Sequence, residues 1–119
     1  MHLYILLIMA ISDLPQQFLP HRQLLIFGNE QHSLLVDKQA TLFKEASGGV
    51  EERALKAILV REKNPLYIKY KVAPGTFTVI LIGKDGTEKY RANKVVPMNE
   101  LFAIIDAMPM RKAEVKNKR

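Results

Sequence analysis

The 119-residue chain contains no cysteine and no tryptophan. Without a thiol it can form no disulfide, bind no metal through thiolate, and run no dithiol exchange or cysteine-peroxidase chemistry. The same absence leaves the compartment open, because disulfide-free domains occur on both sides of a membrane. Also missing is an apolar run long enough to cross a bilayer. The run from Leu3 to Ile11 falls well short of the ~20 residues a spanning helix needs. His2, His21 and His32 show no metal-ligand spacing on one element. No Ser-His-Asp or paired-carboxylate arrangement can be placed from spacing either, so no catalytic, cofactor-binding or metal-binding residue is assigned. There is no internal repeat and no low-complexity stretch.

What is present suits one globular domain. A chain this long buries about two thirds of its unfolded surface, and 48% hydrophobic with 25% charged residues is ordinary for a folded protein. The pI near 9.7 invites a nucleic-acid partner, but the charge is poorly placed for one. Residues 111–119, RKAEVKNKR, hold five basic side chains and one acidic, whereas the other 110 residues are nearly balanced at 13 and 11. A nucleic-acid domain carries its basic stripe on the folded surface. Residues 111–119 therefore read as a solvated, mobile basic tail, and a nucleic-acid partner is disfavoured.

At the other end, MHLYILLIMAIS resembles the apolar region of a secretory signal, with Ala10 and Ser12 as small residues for cleavage. It lacks Lys or Arg before the apolar run, and an extra buried strand is the alternative. Residues 1–20 are taken as a signal-like segment and linker, which favours a periplasmic or secreted protein over a cytoplasmic one. The domain then spans 21–110.

Within it, QLLIFGN (23–29) reads as a buried strand. QHSLLVDKQATLFKEASGG (31–49) places Leu34, Leu35, Leu42, Phe43 and Ala46 on one helical side, with Ser33 as a possible N-cap and Ser47-Gly48-Gly49 as a stop. ALKAILV (54–60) is apolar on both faces by its end, as a parallel strand covered on both sides would be. NPLYIKYKV (64–72) has strand periodicity but helix-start chemistry in Asn64-Pro65, and a short helix is preferred there. FTVILI (77–82) suits a central strand and TEKYRA (87–92) an outer one. PMNELFAIIDAMPMR (97–111) gives a helix with Leu101, Phe102, Ile104, Ile105 and Met108 on its apolar face, stopped by Pro109. Met108 and Met110 read as core packing, and Arg53 and Arg111 with Asp106 as an ion pair locking this helix.

The Gly83-Lys84-Asp85-Gly86 stretch after the third strand could be mistaken for a phosphate loop. Such a loop needs four residues between its glycines, then Lys and Ser or Thr, and a following helix. Here the spacing is wrong and a polar strand follows. Asp85-Gly86 instead suits a two-residue hairpin turn in which both positions take positive φ, leaving Lys84 exposed.

The order β-α-β-α-β-β-α, with a right-handed first crossover, predicts an α/β fold. It is a mixed four-stranded sheet of order 2-1-3-4 with helices on both faces, the layout of a minimal thioredoxin-like domain. TFTVILIGKDGTEKYR with LFAIIDAMPMR, and GGVEERALKAILV between them and the start, resemble the DUDES-type domain family of bacteria and of extracellular sushi-repeat matrix proteins. The resemblance covers about residues 22–114. It rests most on the residues Gly83, Lys84, Asp85 and Gly86 and on the unusual run holding Asp106, Met108, Pro109, Met110 and Arg111. It implies a thioredoxin-like fold, exported bacterial members and no established activity.

In such a fold the working loop follows the first strand. Here it is FGNEQHS, where an oxidoreductase would carry Cys-x-x-Cys. Asn29, Glu30, Gln31 and His32, with Pro74 and Gly75 expected nearby, form the candidate ligand-facing loop of a non-redox binding module for a protein, peptide or small ligand. Pro74 stands where redox relatives carry a cis-proline, but Gly75 intervenes before the strand and leaves that geometry open. An enzyme using Glu30, His32 or His21 as acid or base, and a protein anchored to an acidic surface by its basic tail, are the alternatives.

Overall fold

The computed structural model describes residues 18–118. Its centre is a four-stranded sheet of β1 (Arg22–Phe27), β2 (Leu55–Val60), β3 (Thr78–Ile82) and β4 (Glu88–Ala92), in the order β2-β1-β3-β4. β1 pairs parallel with β2 and antiparallel with β3, and β3 pairs antiparallel with β4. The expected order and pairing are therefore present. Side chains alternate along a strand, so β1 and β3 feed two cores. Leu24, Ile26, Val79 and Leu81 enter one, Leu25, Phe27, Ile80 and Ile82 the other. With both faces covered, an uninterrupted apolar run is what a central strand requires. β2 takes the edge position that this order requires, but it is not covered on both faces as expected: Leu59 is 54% exposed.

Three helices pack on the first face: α1 (Ser33–Glu45), α2 (Ser47–Glu52) and, after the short α3 (Leu66–Lys69), α4 (Met98–Asp106). α3 covers the second face, where the Tyr67 ring meets Phe27 edge-on at 4.9 Å between centroids. Asn64 starts α3 through its Oδ1, which accepts from the Leu66 N–H at 2.9 Å. Capping chemistry thus prevails over strand periodicity in this stretch.

Several local expectations are corrected. Ser33 is the first residue of α1 rather than its cap, and Leu34 is 83% exposed instead of facing the core. Ser47-Gly48-Gly49 does not stop the helical region. α1 breaks at Ala46 and the chain re-enters a helix, because Gly49 lets α2 close on α4: a Cβ there would lie 2.7 Å from the Phe102 ring. The β3–β4 turn is a three-residue loop. Gly86 N–H donates to Gly83 O at 2.9 Å, and within the turn only Gly86 has positive φ, at 81°. That is a turn closed by a left-handed glycine, not the two-residue form.

The largest correction is at the C-terminal end. Pro109 ends one helix but begins another, since proline is at home in a first turn where no N–H is needed. α5 (Pro109–Asn117) turns residues 111–117 into structure rather than a mobile tail. Arg111 is buried, and its Nη1 donates to Glu52 O at 3.0 Å while its Nη2 pairs with Glu52 Oε1 at 3.0 Å. Lys112, Lys116 and Lys118 remain exposed. The expected ion pair is present. Arg53 grips both oxygens of Asp106 at 2.9 and 3.0 Å, and Arg111 Nε reaches Oδ1 at 3.3 Å.

Candidate functional site

β1 and β2 run parallel, so their carboxyl ends open at the same edge, where α/β sheets present loops to ligands. The chain leaves β1 at Gly28, which lies so close to α1 that a Cβ would stand 2.5 Å from Val36 Cγ2. Asn29 then turns the backbone into a single 3-10 turn, Glu30–His32, which leads straight into α1. The turn is closed by His32 N–H donating to Asn29 O at 3.0 Å, and again by the side chains, with His32 Nδ1 and Asn29 Oδ1 at 2.9 Å.

Opposite this turn are Arg61 and Glu62, the first residues after β2. Together the two segments line an open cleft of ≈ 360 Å³. Gly28, Asn29, Glu30 and Ser33 form one wall, Val36 and Asp37 of α1 the floor, and Arg61 and Glu62 the other wall. Gln31 borders an adjoining hollow with Asn29, Glu30 and Glu62. Three carboxylates and one guanidinium thus surround the cleft, so its field is negative although the chain as a whole is positive.

Pro74 and Gly75 are exposed and do not line this cleft. They sit beside it: Gly75 has φ 82°, and a Cβ there would lie 3.9 Å from Asn29 Nδ2. No peptide bond among the described residues is cis, so Pro74 follows a trans bond.

Of the acid–base candidates, Glu30 and His32 share the 3-10 turn, but His21 is not brought to them. His21 precedes β1 and His32 follows it, a six-residue strand apart, or roughly 20 Å at the rise of an extended chain. Among the described residues no group of three His, Cys, Asp or Glu side chains could hold a metal ion.

Residues 14–114 match the family model described as Domain of unknown function (DUF4174). The chain belongs to this family. No curated protein matches the sequence. Solved structures resemble the DUF4174 chain in fold. A thioredoxin-fold protein from Helicobacter pylori is 17% identical with a TM-score of 0.55, covering 79% of this chain and 73% of its own. Reduced 2-Cys peroxiredoxin from Plasmodium vivax is 14% identical with a TM-score of 0.63, covering 81% and 82%. Chloroplastic thioredoxin z is 17% identical with a TM-score of 0.53, covering 92% and 89%. These likenesses establish the thioredoxin fold.

In the DUF4174 chain the residues singled out by motif lie at the opposite end of β1 from the cleft. Gly83, Lys84, Asp85 and Gly86 form the β3–β4 turn, and Lys84 is not the free surface residue expected. Its Nζ pairs with Glu114 Oε2 at 3.0 Å. Asp85 accepts from Thr87 N–H at 3.0 Å and from Lys89 Nζ at 2.8 Å. Lys89, first, and then Thr87 lower its carboxyl pKa to about 2. Met108 packs on the core while Pro109 and Met110 open α5. Sequence reasoning missed Arg61, Glu62 and Asp37 as cleft residues. Only the parallel pairing of β1 with β2 brings Arg61 and Glu62 to Asn29, and the sole sequence signal was the charged pair closing an apolar run.

Among the described residues no helix is long and apolar enough to cross a membrane.

Proposed function

We propose that this protein is a non-redox binding module that takes a protein or peptide segment carrying a lysine or arginine into the cleft between Asn29–Glu30 and Arg61–Glu62. The observation that carries this reading is the cleft itself, framed by Glu30, Asp37 and Glu62 against the single cation Arg61. A thiol-free loop stands at the position where a thioredoxin fold would run redox chemistry, so recognition is the use left to it. Leu34 and Leu59, 83% and 54% exposed, adjoin the cleft-lining Ser33 and precede Arg61, and they offer apolar contact to an extended segment. Among the described residues no strand pairs with the outer side of edge strand β2, and that side offers the segment a backbone ladder.

Membership of the DUDES-type branch, kinship to the domain of sushi-repeat matrix proteins, and export to the periplasm or exterior belong to the same proposal. The 105–111 run and the apolar residues 3–11 support them. Fractionation of cells producing the full chain tests export.

Binding is tested by NMR titration of the isotope-labelled chain with short peptides of equal length, one centred on Lys and Arg and one on Asp and Glu. Saturable shifts at residues 28–33 and 61–62 with the basic peptide, lost in Glu62→Lys, are expected. The absence of such shifts would overturn the reading. Salt-sensitive shifts confined to Lys112, Lys116 and Lys118 with the acidic peptide would favour docking of α5 on an acidic surface instead.

A further inference from the structure

A second cavity, of ≈ 270 Å³, lies at the far end of β1 from the cleft. Its polar lining is Arg22, Lys84, Asp85 and Lys89, and its apolar lining is Phe18 with Met108, Pro109 and Met110. We propose that it binds a small amphiphilic carboxylate, with the anionic end held by Arg22 and the amino terminus of α5, and the hydrocarbon along Phe18 and the two methionines.

Three independent features converge on the anionic end. Arg22 is fully buried and uses only part of its donor set. Nη1 donates to Arg53 O at 2.8 Å and to Glu114 Oε1 at 3.2 Å, and Nη2 to Glu114 Oε2 at 2.9 Å. Its Nε is buried and finds no acceptor among the described residues. An unpaired buried donor is costly, and more so on a charged group. An incoming oxygen would remove that cost.

The second feature is the start of α5. Met108, Pro109 and Met110 are its N-cap and first two residues, and no side chain caps it. The N–H groups of Met110 and Arg111 have no acceptor within the helix by position, and the helix dipole adds positive potential there. Third, Lys84 and Lys89 bring two ammonium groups, while Glu114 is already shared between Arg22 and Lys84 and Asp85 is held by Lys89 and Thr87. The three cations of the lining are thus balanced by two carboxylates, Asp85 and the adjacent Glu114, which leaves one positive charge in excess.

The apolar side limits what the anion carries. Phe18 is 58% exposed, and Met108 and Met110 are partly buried, so a short hydrocarbon would cover surface now open to water. The volume falls just below that of common ligand pockets, which calls for a small molecule.

The test is titration of the full chain with hexanoate, hexan-1-ol and inorganic phosphate, followed by NMR. Hexanoate should give saturable shifts in the amides of residues 84–89 and 108–111, with the alcohol and phosphate each about tenfold weaker or worse. Arg22→Lys, which removes Nε as a planar donor, should abolish binding. Because Arg22 is buried and its variant can lose the fold, the surface variant Lys89→Ala is the second arm and should weaken hexanoate about fivefold. Absence of saturable shifts, equal binding of hexan-1-ol or phosphate, or unchanged affinity in Lys89→Ala would each overturn the proposal.

Discussion

Arg22 and Glu114, 92 positions apart, meet through two hydrogen bonds of 3.2 and 2.9 Å that fasten α5 to the first residue of β1. Arg22 is wholly inside the protein, whereas a quarter of the Glu114 side chain reaches solvent. Removing the carboxylate strands a buried guanidinium, the costly way to break such a pair. Glu114→Ala is expected to lower stability by about 3 kcal/mol, read from the midpoint of urea denaturation. A chain cut after residue 110 should lose at least as much, because Arg111 and its bonds to Glu52 go too. Retention of wild-type stability by the shortened chain would show that α5 is dispensable.

Gln39 performs backbone work from a side chain. It is fully buried on α1, donates from Nε2 to Val96 O at 3.0 Å, and accepts Val96 N–H at Oε1 at 2.7 Å. Gln39→Leu keeps the volume but leaves both Val96 groups unpaired, each costing about 1–3 kcal/mol. A loss of about 2–4 kcal/mol is expected, with faster exchange of the Val96 amide as the local signature. An unchanged exchange rate would contradict the assignment.

Gly28 sets the spacing between the cleft loop and α1. With a Cβ placed 2.5 Å from Val36 Cγ2, Gly28→Ala is expected to destabilise by about 1–3 kcal/mol through overpacking. Adding Val36→Ala should recover part of that loss in a double-mutant cycle. Additive effects of the two changes would disprove steric coupling.

Acid should unfold this protein through identifiable carboxylates. The hydrogen bond from Arg53 is the main cause holding Asp106 below the usual carboxylate range, against opposing burial and with help from Arg111. Burial pushes Glu114 up, but Arg22 and Lys84 outweigh it and its pKa is lowered. Asp85 is lowered to about 2. Each folded-state pKa lies below its unfolded value, so the unfolded chain binds the proton first on acidification. The stabilisation from these groups is complete above about pH 5 and is lost as pH falls toward about 2. Tm should fall across that window. Asp85→Asn should show a smaller fall and approach the wild-type Tm at the acid end, and parallel curves would exclude Asp85 as a contributor.

Much of the architecture was legible in the chain because its signals are local. Residues 24–27 and 79–82 read as central strands because burial on two faces leaves no polar position along them. Asn64-Pro65 started a helix through the hydrogen bond its chemistry anticipates. The loop after β1 was legible as the candidate site from topology, yet its opposite wall was not. Arg61 and Glu62 carry no local mark of facing Asn29.

Composition and pattern by themselves determined that this chain has no thiol chemistry, two central apolar strands and an amphipathic helix within 97–111, ended at Pro109. Those properties depend on residue type and on the period of each element. Tertiary structure alone decided that the basic C-terminal residues form a helix. Nine residues with a weak apolar face hold no helix in isolation, and α5 exists because Arg111 finds Glu52 at the end of α2 and Glu114 finds Arg22 of β1 and Lys84 of the β3–β4 turn. It likewise decided that Lys84 is paired, that Gly49 serves close approach, and that the Nε of the cavity-lining Arg22 finds no acceptor among the described residues. Such contacts depend on which segments meet in space, which no local pattern records.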